Sequence, residues 1–394
     1  MARTESDSCP GVLRLHEAAD GPLARIRVPG GRLEPEQLQV LAAAAEELGD
    51  GNIELTSRGN VQLRQVRDAG ELTARLEAEG LLPSRTHERV RNIVASPLSG
   101  RVGGLADVHP LVRSLDDGLR AAARLAALPG RVLFALDDGR GDVSALGPDI
   151  GAHAVDGDEF ALLLAGRDSG IRVSTADTAD VLLAAAHGFL DLGSGQWRLH
   201  EIDGGVDRLT ELLGLTPGPQ RLDIGAAPQH PIGWFPQDDG LVALGAGVRL
   251  GSLPARTAEF LAAVERPVFL TPWRSLVITD LDEWPAEQVV RVLAPMGLIF
   301  DANSPWLQLT ACAGRPGCAK SHTDVRADAT AAIESGRILP PGTDTPPIDT
   351  PIPADQIVAA GRQHWSGCDR RCGRPTGAVT DVIAGPDGYR VTQP

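Results

Sequence analysis

Residues 53–66 read IELTSRGNVQLRQV, and residues 268–281 read VFLTPWRSLVITDL. Each has a Leu-Thr pair, then an Arg, then an apolar-alternating run. The segments around them repeat as well. Before the first lie LARIRV (23–28), which reads as a strand, and EPEQLQVLAAAAEELGDG (34–51), which reads as a helix. Pro35 suits the first turn of that helix, Leu38, Leu41, Ala45 and Leu48 share a face, and Gly49 or Gly51 ends it. A second helix is expected over 71–82. Before the second segment come a strand, a turn and a helix from 241 onward, and a helix over 285–297 follows it. A repeat of about 215 residues implies two homologous halves related by a pseudo-twofold, not a solenoid. Between them, helices are expected over 109–128, 178–192 and 205–220, and strands over 131–138 and 159–166. The expected class is α+β.

The polar positions of the first segment share one parity. Read as one strand, 53–66 puts Glu54, Thr56, Arg58, Asn60, Gln62 and Arg64 on one face. Ile53, Leu55, Val61 and Leu63 fall on the other, against a core. Such alternation fits an ordinary solvated sheet face. It also fits a ligand face, because Gly59 permits close backbone approach and arginines carry forks suited to carboxylates. RTHERVRNIVASPLSGR (85–101) adds further arginines, which fit a solvated basic turn equally well.

Net charge is −15, so nucleic acid and anionic membranes are poor partners, and gathered basic residues stand out. The one lysine is Lys320. No apolar run approaches the roughly 20 residues of a membrane span, and the first residues lack a signal-peptide core. A cytoplasmic location with reduced thiols is expected.

Four of the five cysteines lie in TACAGRPGCAKS (310–321) and HWSGCDRRCGRP (364–375). Their spacing is C-x5-C, then C-x3-C. Zinc loops mostly use C-x2-4-C pairs, so zinc fits the first loop poorly. Cys312, Cys318, Cys368 and Cys372 suffice for one [4Fe–4S] cluster, and the surrounding glycines and prolines let the backbone bend around it. Cys9 is left over in the N-terminal tail. The proline-rich 340–356 is expected to be a weakly structured connection between the two loops.

With LTSRGNVQLR upstream, this cysteine pattern resembles the sulfite/nitrite reductase superfamily. Within it the chain resembles the precorrin-3B synthases, the oxygen-dependent branch. The resemblance implies ferredoxin-like half-domains at 1–84 and 223–298, each followed by an α/β domain, at 85–222 and 299–394, the last carrying the cluster. It implies a tetrapyrrole substrate, precorrin-3A, together with O2 and an external electron donor, in cobalamin biosynthesis. Substrate carboxylates are expected on Arg58, Asn60, Gln62, Arg64, Arg91, Asn92, Arg131 and Arg274. The family is also associated with a mononuclear non-haem iron. His87, Asp107 and His109 are nearby candidates, but no 2-His-1-carboxylate spacing is evident. Sulfite and nitrite reductases carry Leu-Pro-x-Lys-x-Lys, whereas this chain has LPGRVLF, with Arg131 and Leu133 at the lysine positions. The same-class alternative is a sirohaem-dependent sulfite or nitrite reductase. The alternative of another class is a non-catalytic iron–sulfur electron-transfer or binding protein.

Overall fold

A computed structural model describes residues 7, 9–193, 195–225, 230–375 and 377–393. Its helices and strands build three large apolar cores. The first draws on residues 12–82 and again on 242–298. The second spans 90–209 and the third 309–391. The two ferredoxin-like halves therefore share one interior.

The helix of the first half runs Pro35–Leu48. It starts with Pro35 and a reciprocal cap between Glu34 and Gln37, and Gly49 follows its last residue. Leu38, Leu41, Ala42 and Ala45 are its buried face. That helix packs on Ala255–Ala262, its counterpart in the second half.

Each half completes the other's sheet. The first sheet ends in Ser252–Pro254 of the second half, with Leu253 opposite Ile53. The second sheet ends in Arg32–Leu33 of the first half, with Leu33 opposite Val268. The turns leading into these strands match. Gly30 and Gly31 have φ of 65° and 73°, and Leu250 and Gly251 have 51° and 72°.

The two α/β units also match. In one, Ile93–Ala95, Phe134–Asp137 and Ile150–Ala154 are parallel neighbours, with antiparallel strands beyond. In the other, Leu309–Ala311, Gln363–Ser366 and Thr380–Gly385 are parallel neighbours, again with antiparallel strands beyond. The proline-rich connection departs from expectation, because Ile348–Ile352 forms a strand against Gly388–Thr392. No helix among the described residues is long and apolar enough to cross a membrane.

Candidate functional site

Residues 53–66 form a hairpin, not the single strand expected. Asn52–Leu55 pairs antiparallel with Val61–Leu63, putting Glu54 opposite Gln62 and Leu55 opposite Val61. The chain reverses at Thr56–Gly59, where Gly59 supplies φ of 63° and the Thr56 N–H donates to the Asn60 carbonyl at 2.9 Å. Facing residues have equal parity, so the polar and apolar sets stay apart across the fold-back. Ile53, Leu55, Val61 and Leu63 are all buried.

The hairpin tip meets the first α/β unit at Gly130. The Arg58 Nη1 donates to the Gly130 carbonyl at 3.4 Å, and the Asn92 Nδ2 donates to it at 2.9 Å. Asn60 donates to the Asn92 Oδ1 at 3.2 Å and accepts the Val28 N–H at 2.8 Å. Arg131, next in the chain, lies over the Trp197 ring at 4.7 Å. The fold thus gathers Arg58, Asn60, Asn92 and Arg131 from two cores.

Two cations of this cleft were overlooked in the sequence. Arg25 and Arg27 sit two residues apart on LARIRV, so they share a face. Arg25 lies opposite Gln62 and donates from Nε to the Gln62 Oε1 at 2.9 Å. Arg27 is 2% exposed and its Nη1 has no partner among the described residues. Burial, then the charges of Arg25 and Arg58, bring its pKa down to about 9. Burial, then Arg198, brings Arg58 down to about 10. Arginines that depress one another favour an anion bound close by.

The N-terminal segment lies beside this cleft. The Asp7 carboxylate accepts the Gly130 N–H, and its carbonyl accepts from the Arg89 Nη1 at 3.2 Å. Cys9, left over in the sequence, is close enough for its charge to act on Arg25, Arg27 and Arg58.

Two expected ligand cations are paired within the chain instead. Arg64 holds Asp20 through two bonds of 2.8 and 2.6 Å. Arg91 holds Asp116 through bonds of 2.6 and 2.8 Å. Both arginines are buried, and a buried guanidinium without a carboxylate is costly. Both are thus ion-paired within the chain. Arg64 also donates to the Gly317 carbonyl at 3.0 Å, tying the hairpin to the loop of Cys318. Arg274 lies by the second cysteine loop, where a Cβ on Gly373 would meet its Nη2 at 3.0 Å. The charges that act on it are Arg326 and Glu54.

The cysteine loops leave the same end of two adjacent parallel strands. Ala311 lies opposite Trp365, so Cys312 and Cys368 emerge side by side. The Cys312 N–H donates to the Trp365 carbonyl at 3.0 Å, and the Gly367 N–H donates to the Cys312 Sγ at 3.3 Å. Burial, then the charges of Cys312, Cys368 and Cys318, push the Cys372 thiol up. Four thiols close enough to repel can hold a multivalent cationic centre. Among the described residues, the trio of metal-type ligand atoms within 4.8 Å of one another is Asp137, Asp138 and Asp142.

Residues 16–78 match the nitrite/sulfite reductase ferredoxin-like half domain. The ferredoxin–nitrite reductase of Synechococcus elongatus is 26% identical over 409 residues, covering 91% of this chain and 75% of that protein. The precorrin-3B synthase of a Sinorhizobium species is 24% identical over 407 residues, covering 99% of this chain and 83% of that protein. The solved structure of the NirA protein of Mycobacterium tuberculosis has a TM-score of 0.73 at 20% identity, covering 94% of this chain and 73% of that one. The matched half-domain is one of the two that exchange strands, and the relatives align along both. The half-domain match and these relatives support the sulfite/nitrite reductase superfamily for this chain.

Proposed function

We propose that the chain is a precorrin-3B synthase, an oxidoreductase that uses O2 to hydroxylate precorrin-3A and close a ring lactone. The observation that carries this reading is Leu133. It stands where sulfite and nitrite reductases have the second lysine of their anion pocket. Here it is 4% exposed and packs with Val94, Ala135 and Val143. A buried leucine there offers no charge to a small oxyanion. The precorrin-3B synthase relative, spanned over 83% of its length, supports the same reading.

In this reading Arg58, Arg25, Arg27 and Arg131 take the substrate's carboxylates. Gln62 orients Arg25, and Asn60 with Asn92 fixes the Gly130 loop. Arg64 and Arg91 position the hairpin and the first α/β unit through Asp20 and Asp116. Cys312, Cys318, Cys368 and Cys372 would hold a [4Fe–4S] cluster, which when bound would supply one-electron transfer from an external donor. Exposed Arg315, Lys320, Arg370 and Arg371 beside those thiols give the donor a basic face on an acidic chain.

Of the three residues named for a mononuclear iron, His87 and Asp107 have partners within the chain, whereas the buried His109 Nε2 has none among the described residues, so no ligand set is assembled. The His87 Nδ1 bonds Ser84 and Thr86, and its Nε2 lies 3.2 Å from the Ala122 carbonyl. Asp107 accepts the His109 backbone N–H at 3.0 Å. Asp137 is occupied by the N–H groups of Gly139, Gly141, Val143 and Ser144. No step is assigned to such an iron.

Protein purified without oxygen should show the broad absorption of an iron–sulfur cluster and no intense Soret band, and should consume O2 with precorrin-3A. A second reading, a sirohaem-dependent nitrite reductase, is favoured by the 26% identical relative. Tightly bound sirohaem with nitrite reduction at enzyme-like rates would decide for it.

Arg58→Ala and Arg25→Ala should each weaken binding of a carboxylate-rich tetrapyrrole by roughly 10- to 100-fold, the effect of losing one charge-assisted hydrogen bond. Cluster absorbance should stay. Unchanged affinity in both variants would place the substrate elsewhere.

A further inference from the structure

The second half carries its own version of the cleft, built with different chemistry. The matched turns place Gly247 three residues before Leu250, as Arg27 stands three before Gly30. Gly245 likewise takes the place of Arg25. At the hairpin tip the Thr271 N–H donates to the Ser275 carbonyl at 2.9 Å, as Thr56 does to Asn60. Trp273 therefore corresponds to Arg58, and Arg274 to Gly59.

The floor of this second cleft is covered by its own chain. A Cβ on Gly245 would meet the Pro231 carbonyl oxygen at 1.9 Å, and one on Gly247 would meet the Leu307 Cδ2 at 2.5 Å. The covered floor favours a smaller guest than a macrocycle. Its lining includes Trp273, Trp306, Arg274, Arg362 and Gln363, and no Asp or Glu. That is a selective omission in a chain with 52 acidic residues.

Two features of this lining call for an anionic guest, and a third leaves its charge to the arginines. Arg274 has φ of 58°, a conformation that L side chains rarely adopt, where the first half uses Gly59 at 63°. Among the described residues it has no ion-pair partner, and burial draws its pKa down. Glu54, the nearby acid, is bonded to Arg326. Gln363 is 1% exposed, its Oε1 accepts from the Trp365 Nε1 at 3.0 Å, and its Nε2 has no partner. His230 stacks on Trp273 at 5.3 Å and stays neutral at physiological pH, since burial and then Arg362 bring it to about 4. The two arginines are thus the charges in the cleft.

We propose that this cleft binds a small planar aromatic carboxylate, its charge taken by Arg274 and Arg362 and its ring set against Trp273 and Trp306. The probe is 2-naphthoate, titrated calorimetrically into the intact protein purified without oxygen. One site is expected. Arg274→Gly should lower its affinity roughly ten-fold or more, as should Arg362→Gln. Arg274→Gly copies the first half and relaxes the backbone, so its melting temperature should not fall. The uncharged 2-naphthol should bind at least about ten-fold more weakly than 2-naphthoate. Arg58→Ala should keep naphthoate affinity, which separates this cleft from the tetrapyrrole site. Absence of heat at millimolar naphthoate, or equal binding by both arginine variants, would overturn the proposal. Competitive displacement by a tetracarboxylate porphyrin would also overturn it, by making the cleft an arm of the other site.

Discussion

Serine in place of any one of Cys312, Cys318, Cys368 or Cys372 is expected to strip iron and sulfide from the protein and abolish its turnover. The four thiols come from two loops that start side by side on neighbouring parallel strands, so each loop supplies two ligands. A cube needs four thiolates, and three leave one iron open to solvent and oxygen. Cys9→Ser should keep full iron and sulfide, because that thiol lies by Arg25 and Arg27. Iron, acid-labile sulfide and zinc should be measured together on protein purified without oxygen. Stoichiometric zinc without sulfide would sink the cluster. So would a Cys372→Ser protein with wild-type iron, sulfide and turnover.

The largest effect on folding is expected from Gly31→Ala. Gly31 has φ of 73°, and a Cβ there would stand 2.0 Å from the Leu270 carbonyl oxygen. Leu270 belongs to the other half, so the clash falls on the seam between the halves. Left-handed strain and overpacking together should cost about 2–5 kcal/mol, or roughly 2–6 °C in melting temperature. Gly80→Ala is the matched control. Its φ is 68° and nothing lies within 4 Å of its Cβ, so it carries the strain without the contact. Equal losses in the two variants would mean that the seam has room to give.

What could be read from the sequence follows the range of each interaction. The helix Pro35–Leu48 and the polar–apolar alternation of 53–66 depend on neighbours a few residues away, and both are visible in the residues themselves. The cysteine loops are short and punctuated, so their thiols could be grouped by spacing. The hairpin turn was missed because Gly59 was read for ligand approach rather than for its positive φ. Arg25 and Arg27 were passed over because their strand was read only for its place in the fold. The pairings of Arg64 with Asp20 and Arg91 with Asp116 join separate elements, and alternation says nothing about such partners.

A strand lent in each direction means that neither half has a finished sheet without the other. Two copies of a single-half chain would complete each other in the same reciprocal way, as isologous partners do. The molecule therefore has the plan of a twofold dimer whose subunits have been joined end to end. A symmetric dimer must repeat every residue, so its two clefts can only be identical. Joining removes that constraint. Arg25, Arg27 and Arg58 on one side, with Gly245, Gly247 and Trp273 on the other, are what ancestry by fusion permits and symmetry forbids.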